Sequence, residues 1–187
     1  MRVTGGEWRS RRFKGPSKGQ KLRPTPDSMR ERSFAVLGGI LSEARVLDLF
    51  AGTGAVGIEA LSRGAASAVF VEAHRNAARL IKDNLESFGV GRHRGIVINR
   101  TAARAVADLE GRGRIFDLVW ADPPFETWTD GLDALVAAVN AGLTADDATL
   151  CLECPAKADF EPAMPDDFVV ERDLKGGASR VVILRRK

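Results

Sequence analysis

One segment constrains this chain more than any other: Val46-Leu47-Asp48-Leu49-Phe50-Ala51-Gly52-Thr53-Gly54-Ala55-Val56-Gly57-Ile58-Glu59-Ala60-Leu61. It reads as a buried strand, a glycine turn and an amphipathic helix. Gly52, Gly54 and Gly57 have the spacing G-x-G-x-x-G in the strand-turn-helix setting that this spacing requires. Glycines there let the backbone approach a ligand closely, and the start of the helix offers free N–H groups. The next strand, Ala68-Val69-Phe70-Val71, ends in Glu72, twenty residues after Gly52. A carboxylate at that point can accept both hydroxyls of a ribose.

The rest of the chain extends this unit. Strands are predicted near 45–50, 67–72, 95–99, 115–121 and 147–153, separated by helices near 55–63, 74–88, 101–110 and 130–141. Mostly apolar strands with short intervening helices predict an α/β, doubly wound parallel sheet. After Pro155 the pattern changes. Phe168-Val169-Val170-Glu171, a turn at Lys175-Gly176-Gly177, and Arg180-Val181-Val182-Ile183-Leu184 predict a C-terminal antiparallel hairpin. Ahead of the sheet a helix is expected near 27–41, with Thr25 as cap, Pro26 in its first turn and Asp27 complementing its dipole. Residues 1–22 read as a separate arm, a short hairpin in which Val3-Thr4 and Trp8-Arg9 flank Gly5-Gly6, and residues 23–187 as the main domain.

The apolar run Ile115-Phe116-Asp117-Leu118-Val119-Trp120-Ala121 leads into Asp122-Pro123-Pro124-Phe125. Here a short carboxylate stands at a strand's C-terminal edge, followed by two prolines that cannot extend the ladder and then an aromatic ring. The proline rings fix φ, and Pro124 biases Pro123 toward an extended conformation, so the carbonyls of the turn are held in place. Such a pocket suits a flat base with an exocyclic amine. Asp122 and a backbone carbonyl can accept from the NH₂ while Phe125 stacks on the ring.

The glycine loop alone does not distinguish a nicotinamide cofactor from S-adenosylmethionine. Asp48 helps, because a carboxylate four residues before the first glycine would repel a pyrophosphate and would lie near a methionine ammonium. The Asp122–Phe125 pocket, for which a dehydrogenase has no use, turns the reading toward a methyltransferase. An NAD-binding oxidoreductase stays open as an alternative that cofactor titration separates.

Composition excludes other classes. At 187 residues, 44% hydrophobic and 28% charged, the chain is long enough for one domain with a real core. No stretch reaches the roughly eighteen apolar residues of a membrane span, and Met1-Arg2-Val3-Thr4-Gly5-Gly6 lacks the apolar core of a signal peptide. A cytosolic location is expected. Cys151 and Cys154 form a C-x-x-C, but a strand places residues three apart on opposite faces, so neither a metal site nor a disulfide is expected. The net charge of +3 hides an asymmetry: residues 1–23 hold eight Lys or Arg against Glu7 alone, and the remainder has twenty basic and twenty-four acidic residues. A basic arm on a mildly acidic body suggests a polyanionic partner. Arg9, Arg11, Arg12 and Lys14 are the candidate phosphate contacts, with Trp8 and Phe13 among them as possible stacking surfaces for bases.

These motifs together resemble a known family. Arg23-Pro24-Thr25-Pro26-Asp27-Ser28-Met29-Arg30-Glu31, the run LDLFAGTGAVGIEALSRGA at 47–65, VEAHRNA at 71–77, ADPPF at 121–125 and the GG-x-W-R-S-R arm at 5–11 are similar to the RsmD family, bacterial 16S rRNA guanine-N2 methyltransferases. The resemblance covers nearly the whole chain. It implies a class I methyltransferase fold, S-adenosylmethionine as cofactor, and 16S rRNA in the small ribosomal subunit as substrate. It further implies that Asp48 and the loop Ala51, Gly52, Thr53 and Gly54 line the methionine part of the cofactor. Thr25 would lie beside the cofactor, Glu72 would hold the ribose, and Asp122, Pro123, Pro124 and Phe125 would hold the target amine. Where the family contacts the adenine amine with an Asn or Asp after the third strand, this chain has Thr101-Ala102, which would contribute backbone or hydroxyl groups. No metal, membrane or obligatory second subunit is implied, and a monomer is expected. The alternatives are a DNA or RNA adenine methyltransferase, a protein-glutamine methyltransferase, and a non-catalytic RNA-binding module. The basic arm counts against the protein-glutamine enzyme, and the intact Asp48, Glu72 and Asp122 count against the binding module.

Overall fold

The computed structural model describes residues 1–15, 27–160 and 164–187. Helix α1 (Asp27–Leu37) precedes an alternating run: β1 (Arg45–Asp48), α2 (Ala55–Ser62), β2 (Ser67–Val71), α3 (Arg75–Ser87), β3 (Gly95–Ile98), α4 (Ala102–Leu109), β4 (Phe116–Ala121), α5 (Trp128–Asn140) and β5 (Thr144–Pro155). The hairpin β6 (Phe168–Gly176) and β7 (Ser179–Arg186) follows. One sheet contains all seven strands in the order β3-β2-β1-β4-β5-β7-β6. The first five are mutually parallel, and β7 runs antiparallel to both β5 and β6. The predicted doubly wound sheet with its closing hairpin is therefore present. Chain order reverses between β1, which pairs with β2, and β4 on its other edge, and in such sheets that switch point is where ligands bind.

The strands read as near-continuous apolar runs because both faces of the sheet are covered. On one face α1, α2, α3 and the N-terminal segment build a core around Phe34, Leu61, Ile81 and Trp120. On the other, α4 and α5 pack Ala105, Leu109 and Leu135 over Leu47, Val119 and Leu150. Phe34 and Trp120 stack nearly parallel, with ring centroids 5.8 Å apart. Cys151 belongs to the first core and Cys154 to the second, both as free thiols, which is the opposite-face placement expected of a C-x-x-C within a strand.

Two local expectations are corrected. The helix near 27–41 ends as an α-helix at Leu37 and continues as a 3₁₀ turn over Gly38–Leu41, because Gly38 takes φ +39 and breaks the α geometry. The N-terminal hairpin has a different register. Arg2 bridges Arg12, the Val3 N–H donates to the Arg11 carbonyl at 3.0 Å, and the Phe13 N–H to the Met1 carbonyl at 3.1 Å. Trp8 and Arg9 thus lie in a long turn and not in a strand. The cause is distant in sequence. Helix α2 takes the turn's backbone for itself: the Thr4 N–H donates to the Glu59 carboxylate at 2.8 Å, the Trp8 N–H to Ser62 Oγ at 2.9 Å and the Glu7 N–H to the Ser62 carbonyl at 2.7 Å.

The hairpin is locked down by buried charge. Besides Thr4, the Glu59 carboxylate accepts from Arg63 Nε at 2.8 Å and Arg30 Nε at 3.4 Å, and Arg30 also donates to the Arg2 carbonyl at 2.7 Å and to Asp27 at 2.9 Å. Arg30 is fully buried and Glu59 nearly so, so each supplies the partner the other requires. Val3, Trp8 and Phe13 join the first core. The predicted boundary between residues 22 and 23 falls outside the described residues, but residues 1–13 pack as part of the main body.

Candidate active site

The candidate residues converge at the carboxyl ends of β1, β2 and β4. The loop after β1 straddles the switch point: the Leu49 N–H donates to the Trp120 carbonyl of β4 at 2.9 Å, and the Ala51 N–H to the Val71 carbonyl of β2 at 2.9 Å. The turn itself depends on glycine. Gly52 and Gly54 adopt φ +54 and +82, left-handed values that cost a side-chain-bearing residue energy. Gly57 serves a different purpose: a Cβ there would lie 2.2 Å from the Phe70 ring, so its absence lets α2 lie directly on β2.

Asp48, the last residue of β1, sits beneath this loop, 1% exposed. Its Oδ2 accepts the Gly57 N–H at 3.2 Å, one of the donors that the first turn of a helix leaves free. Its Oδ1 is buried with no hydrogen-bond partner among the described residues. Burial pushes the Asp48 carboxyl up to about 8 and the nearby Asp122 and Glu72 charges push it further, while the Gly57 N–H and, more weakly and without completing a hydrogen bond to Oδ1, the Phe50 N–H pull it back down. A buried acceptor that lacks a donor suits a cationic ligand group, which would satisfy Oδ1 and hold the carboxylate ionised.

Glu72 follows β2 and is 6% exposed. Its Oε2 accepts the Gly52 N–H at 2.8 Å and its Oε1 the His74 N–H at 2.7 Å. Glu72 therefore ties the glycine loop to the start of α3, and each oxygen keeps a further lone pair for a ligand hydroxyl. Thr101 is the N-cap residue of α4, exposed and without a side-chain capping bond, and Ala102 is buried. The residue that acts on this edge is Asn99, whose Nδ2 donates to the Glu72 carbonyl at 2.7 Å and the Ala73 carbonyl at 2.9 Å. An asparagine directly after a strand was the available signal for it. Thr25 lies outside the described residues.

Asp122 is the first residue beyond β4 and is half-buried, close enough to Asp48 for its charge to act there. Pro123 is buried against α5, which meets it at Gly131: a Cβ on Gly131 would lie 2.7 Å from Pro123 Cγ. Pro124 is exposed with φ −54 and ψ 142, and its carbonyl accepts the Thr127 N–H at 3.0 Å to start the turn carrying the half-buried Phe125. The rigidity expected of this turn thus has two sources, the proline rings and a glycine in the following helix that sequence reading did not single out.

The candidate polyanion contacts divide. Arg9, Arg12 and Lys14 are exposed; Arg11 is exposed too, donating to the Ser87 carbonyl with its guanidinium 4.5 Å from the Phe88 ring centroid. Trp8 and Phe13 differ from expectation. Each is 8% exposed, with ring centroids 4.9 and 6.1 Å from Phe88. They are core residues that seat the hairpin on α3, and in this structure neither offers a face to a base. No described helix is long and apolar enough to cross a membrane, and no His, Cys, Asp or Glu cluster fit for a metal occurs among the described residues.

A parallel sheet with a glycine turn at its switch point, carboxylates after β1, β2 and β4, and an antiparallel closing hairpin defines the class I Rossmann-like methyltransferase fold. The family model described as Conserved hypothetical protein 95 matches residues 1–185, and the chain belongs to this family, that of RsmD. The Escherichia coli K12 protein named Ribosomal RNA small subunit methyltransferase D is 34% identical over 179 residues, 95% of this chain and 85% of the relative. Among solved structures, yhhF from Escherichia coli superposes with a TM-score of 0.83 at 29% identity, covering 100% of this chain and 98% of its own. SMU.776, solved in complex with SAH, shares the fold at a TM-score of 0.71 and 12% identity, over 88% of this chain and 50% of its own.

Proposed function

We propose that this protein transfers a methyl group from S-adenosylmethionine to the exocyclic N2 amine of a guanine in 16S rRNA of the small ribosomal subunit. The observation that carries the reading is the buried Asp48 Oδ1, which has no completed hydrogen bond among the described residues and lies within electrostatic reach of Asp122, the first residue of the Asp122-Pro123-Pro124-Phe125 turn. One carboxylate suits a cation beneath the glycine loop, and the other suits an amine at the adjacent strand end. The relative named Ribosomal RNA small subunit methyltransferase D and the SAH-bound fold neighbour support the same reading.

When bound, S-adenosylmethionine supplies the methyl group on an activated sulfonium. Asp48 would accept from its ammonium, Glu72 from its ribose hydroxyls, and the glycine loop would line its methionine part. Asp122 would accept an N–H of the guanine amine, pointing the nitrogen lone pair at the methyl carbon, while Phe125 stacks on the base. The guanine lone pair is delocalised and weakly nucleophilic, so the chain's task is alignment together with stabilisation of the positive charge that develops on nitrogen. As N–C forms, the C–S pair stays with sulfur, and the proton on nitrogen leaves to water. Asp122 needs no raised basicity, because the methylated ammonium is itself acidic. Reaching N2 requires a base exposed or swung out of its stack.

Labelled S-adenosylmethionine and small subunits from a methylation-deficient strain test this directly. N2-methylguanosine in the nucleoside digest is the expected product. Label in N6-methyladenosine would redirect the proposal to an adenine, and label in a protein side chain would sink it.

A further inference from the structure

The mildly acidic body hides a second basic region. Residues 73–104 hold seven Lys or Arg against Asp83 and Glu86 alone, which leaves thirteen basic and twenty-two acidic residues in the remainder of 24–187. Helix α3 sorts these charges onto two flanks. One flank receives the hairpin: Asn84 bonds the Lys14 backbone through both ends of its carboxamide, the Ser87 carbonyl accepts from Arg11, and Asp83 lies 3.9 Å from Lys14 Nζ. The other flank carries Arg75, Arg79 and Lys82, which follow one another at i, i+4 and i+7 and form a single exposed line. That line faces the outer side of β3, which pairs only with β2 and is the edge of the sheet. Between α3 and β3 runs a groove of about 580 Å³, with Lys82 and Arg92 on its rim, Glu86 as its carboxylate, and Leu85, Val90, Ile96 and Val97 beneath them. Arg100 stands at the carboxyl end of β3, 3.8 Å from Asp108.

The line opposes the helix that bears it. Arg75 opens α3, whose first turn contains no acid, although the N-terminus of a helix favours negative charge. Arg75 and Arg79 are like charges at i, i+4, a spacing that destabilises a helix. Among the described residues neither they nor Lys82 and Arg92 have an ion pair or a side-chain hydrogen bond to offset this. Helix stability would therefore place acids here, and the cations answer to a charge outside the chain. We propose that the β3 edge, lined by Arg75, Arg79, Lys82, Arg92 and Arg100, is a second phosphate-binding surface for rRNA, an inference that rests on the function proposed above. From Arg75 to Lys82 the line spans about 10 Å, which suits a run of backbone phosphates. It begins at the candidate site, because Arg75 is three residues beyond Glu72 and Arg100 directly follows Asn99. RNA held by this edge and by the hairpin straddles α3, so the target base is approached from two anchored sides.

The test is binding of the full chain to small subunits from a methylation-deficient strain across a salt series, with S-adenosylhomocysteine affinity measured in parallel. Arg79→Gln with Lys82→Gln removes two exposed cations outside the candidate site. Subunit affinity should fall about fivefold or more at low salt, and the salt slope should drop by about 1.4–1.8, two phosphate contacts' worth. Affinity for S-adenosylhomocysteine should not change. Arg79→Glu should leave the denaturant midpoint equal or higher while weakening subunit binding, a pairing of effects that a structural role would not give. Equal subunit affinity and salt slope in the double variant overturn the proposal. Cations along a bare strand edge also deter edge-to-edge pairing; a variant that self-associates in sedimentation while each protomer binds subunits as before overturns it as well. Should the double variant fail to fold, acetylation of Lys82 in the unaltered protein decides. Bound subunits must block it, and an equally reactive Lys82 overturns the proposal. Methyl transfer by the unaltered protein alongside such a result defeats only this inference. Absence of methyl transfer, subunit binding and S-adenosylhomocysteine binding defeats the functional reading, and this surface with it.

Discussion

Asp48 is a carboxyl whose environment opposes its charge. In the unfolded chain it titrates near the ordinary 3.8 and in the folded protein at about 8. The folded state therefore holds a proton that the unfolded state releases, and the resulting stabilisation is complete below 3.8 and lost as pH rises through 8. A cation bound at Oδ1 reverses the preference, because it requires the ionised form. Binding of S-adenosylhomocysteine should thus strengthen between pH 6 and 8 and release protons, read from the buffer dependence of the calorimetric enthalpy. Asp48→Asn should abolish that release and weaken binding about tenfold or more, the scale of a lost charge-assisted hydrogen bond. Unchanged proton release in the variant would remove Asp48 from the cation's site. Asp122 is expected to behave differently. Asp122→Ala should nearly abolish turnover while cofactor affinity stays within a few-fold; collapse of cofactor binding with turnover surviving at saturation would reverse the assigned role.

At the scale of elements, α2 is held to the sheet by the missing Cβ of Gly57. Gly57→Ala would put a methyl 2.2 Å from the buried Phe70 ring, and overpacking of this kind costs about 1–3 kcal/mol. Denaturant melts should register that loss, and a variant as stable as the parent would mean that the helix can slide at no cost. Gly57 also shows what was legible in the sequence. The β1–turn–α2 unit, the C-x-x-C faces and the closing hairpin rest on contacts between near neighbours or on the period of two, and periodicity reports both. The N-terminal hairpin was misread because its register answers to Glu59 and Ser62 in a helix some fifty residues downstream. Trp8 looked like a base-stacking surface because nothing near it in sequence announces Phe88. Asn84 and Gly131 carried no local signal at all, since each matters only for what the fold brings to it. Asn99 stands directly after β3, but its role shows only through the Glu72 and Ala73 carbonyls that the fold brings to it.

For the whole molecule, the basic segment cannot be treated as a detachable tail. Removing residues 1–15 takes away Thr4 and the Arg2 carbonyl from the buried Glu59–Arg30 pair. It also removes Val3, Trp8 and Phe13 from the core, and at about 1.5–3 kcal/mol for each large apolar side chain buried this is a large share of a typical total stability of about 5–15 kcal/mol. The truncated chain should melt at markedly lower denaturant, so loss of RNA binding in it would say little about phosphate contacts. Arg9→Glu with Arg12→Glu avoids this, because both side chains are exposed. The double variant should keep the parent's melting curve, bind small subunits more weakly and show a flatter salt dependence, each lost phosphate contact lowering the slope by about 0.7–0.9. Equal affinity and slope would locate the phosphate contacts elsewhere.

The two thiols of β5 carry a further consequence. Both cysteines are fully buried, one under each layer of helices, and burial pushes both thiols up, with Arg185 pulling back on Cys151 and Arg180 on Cys154. Neither can meet an alkylating reagent while its helical cover is in place. Mass spectrometry of alkylated peptides would therefore time the opening of each side of the sheet independently, with no probe introduced. Equal modification rates would mean that the sheet is uncovered in a single event, and faster labelling of either thiol would identify the layer that peels away first.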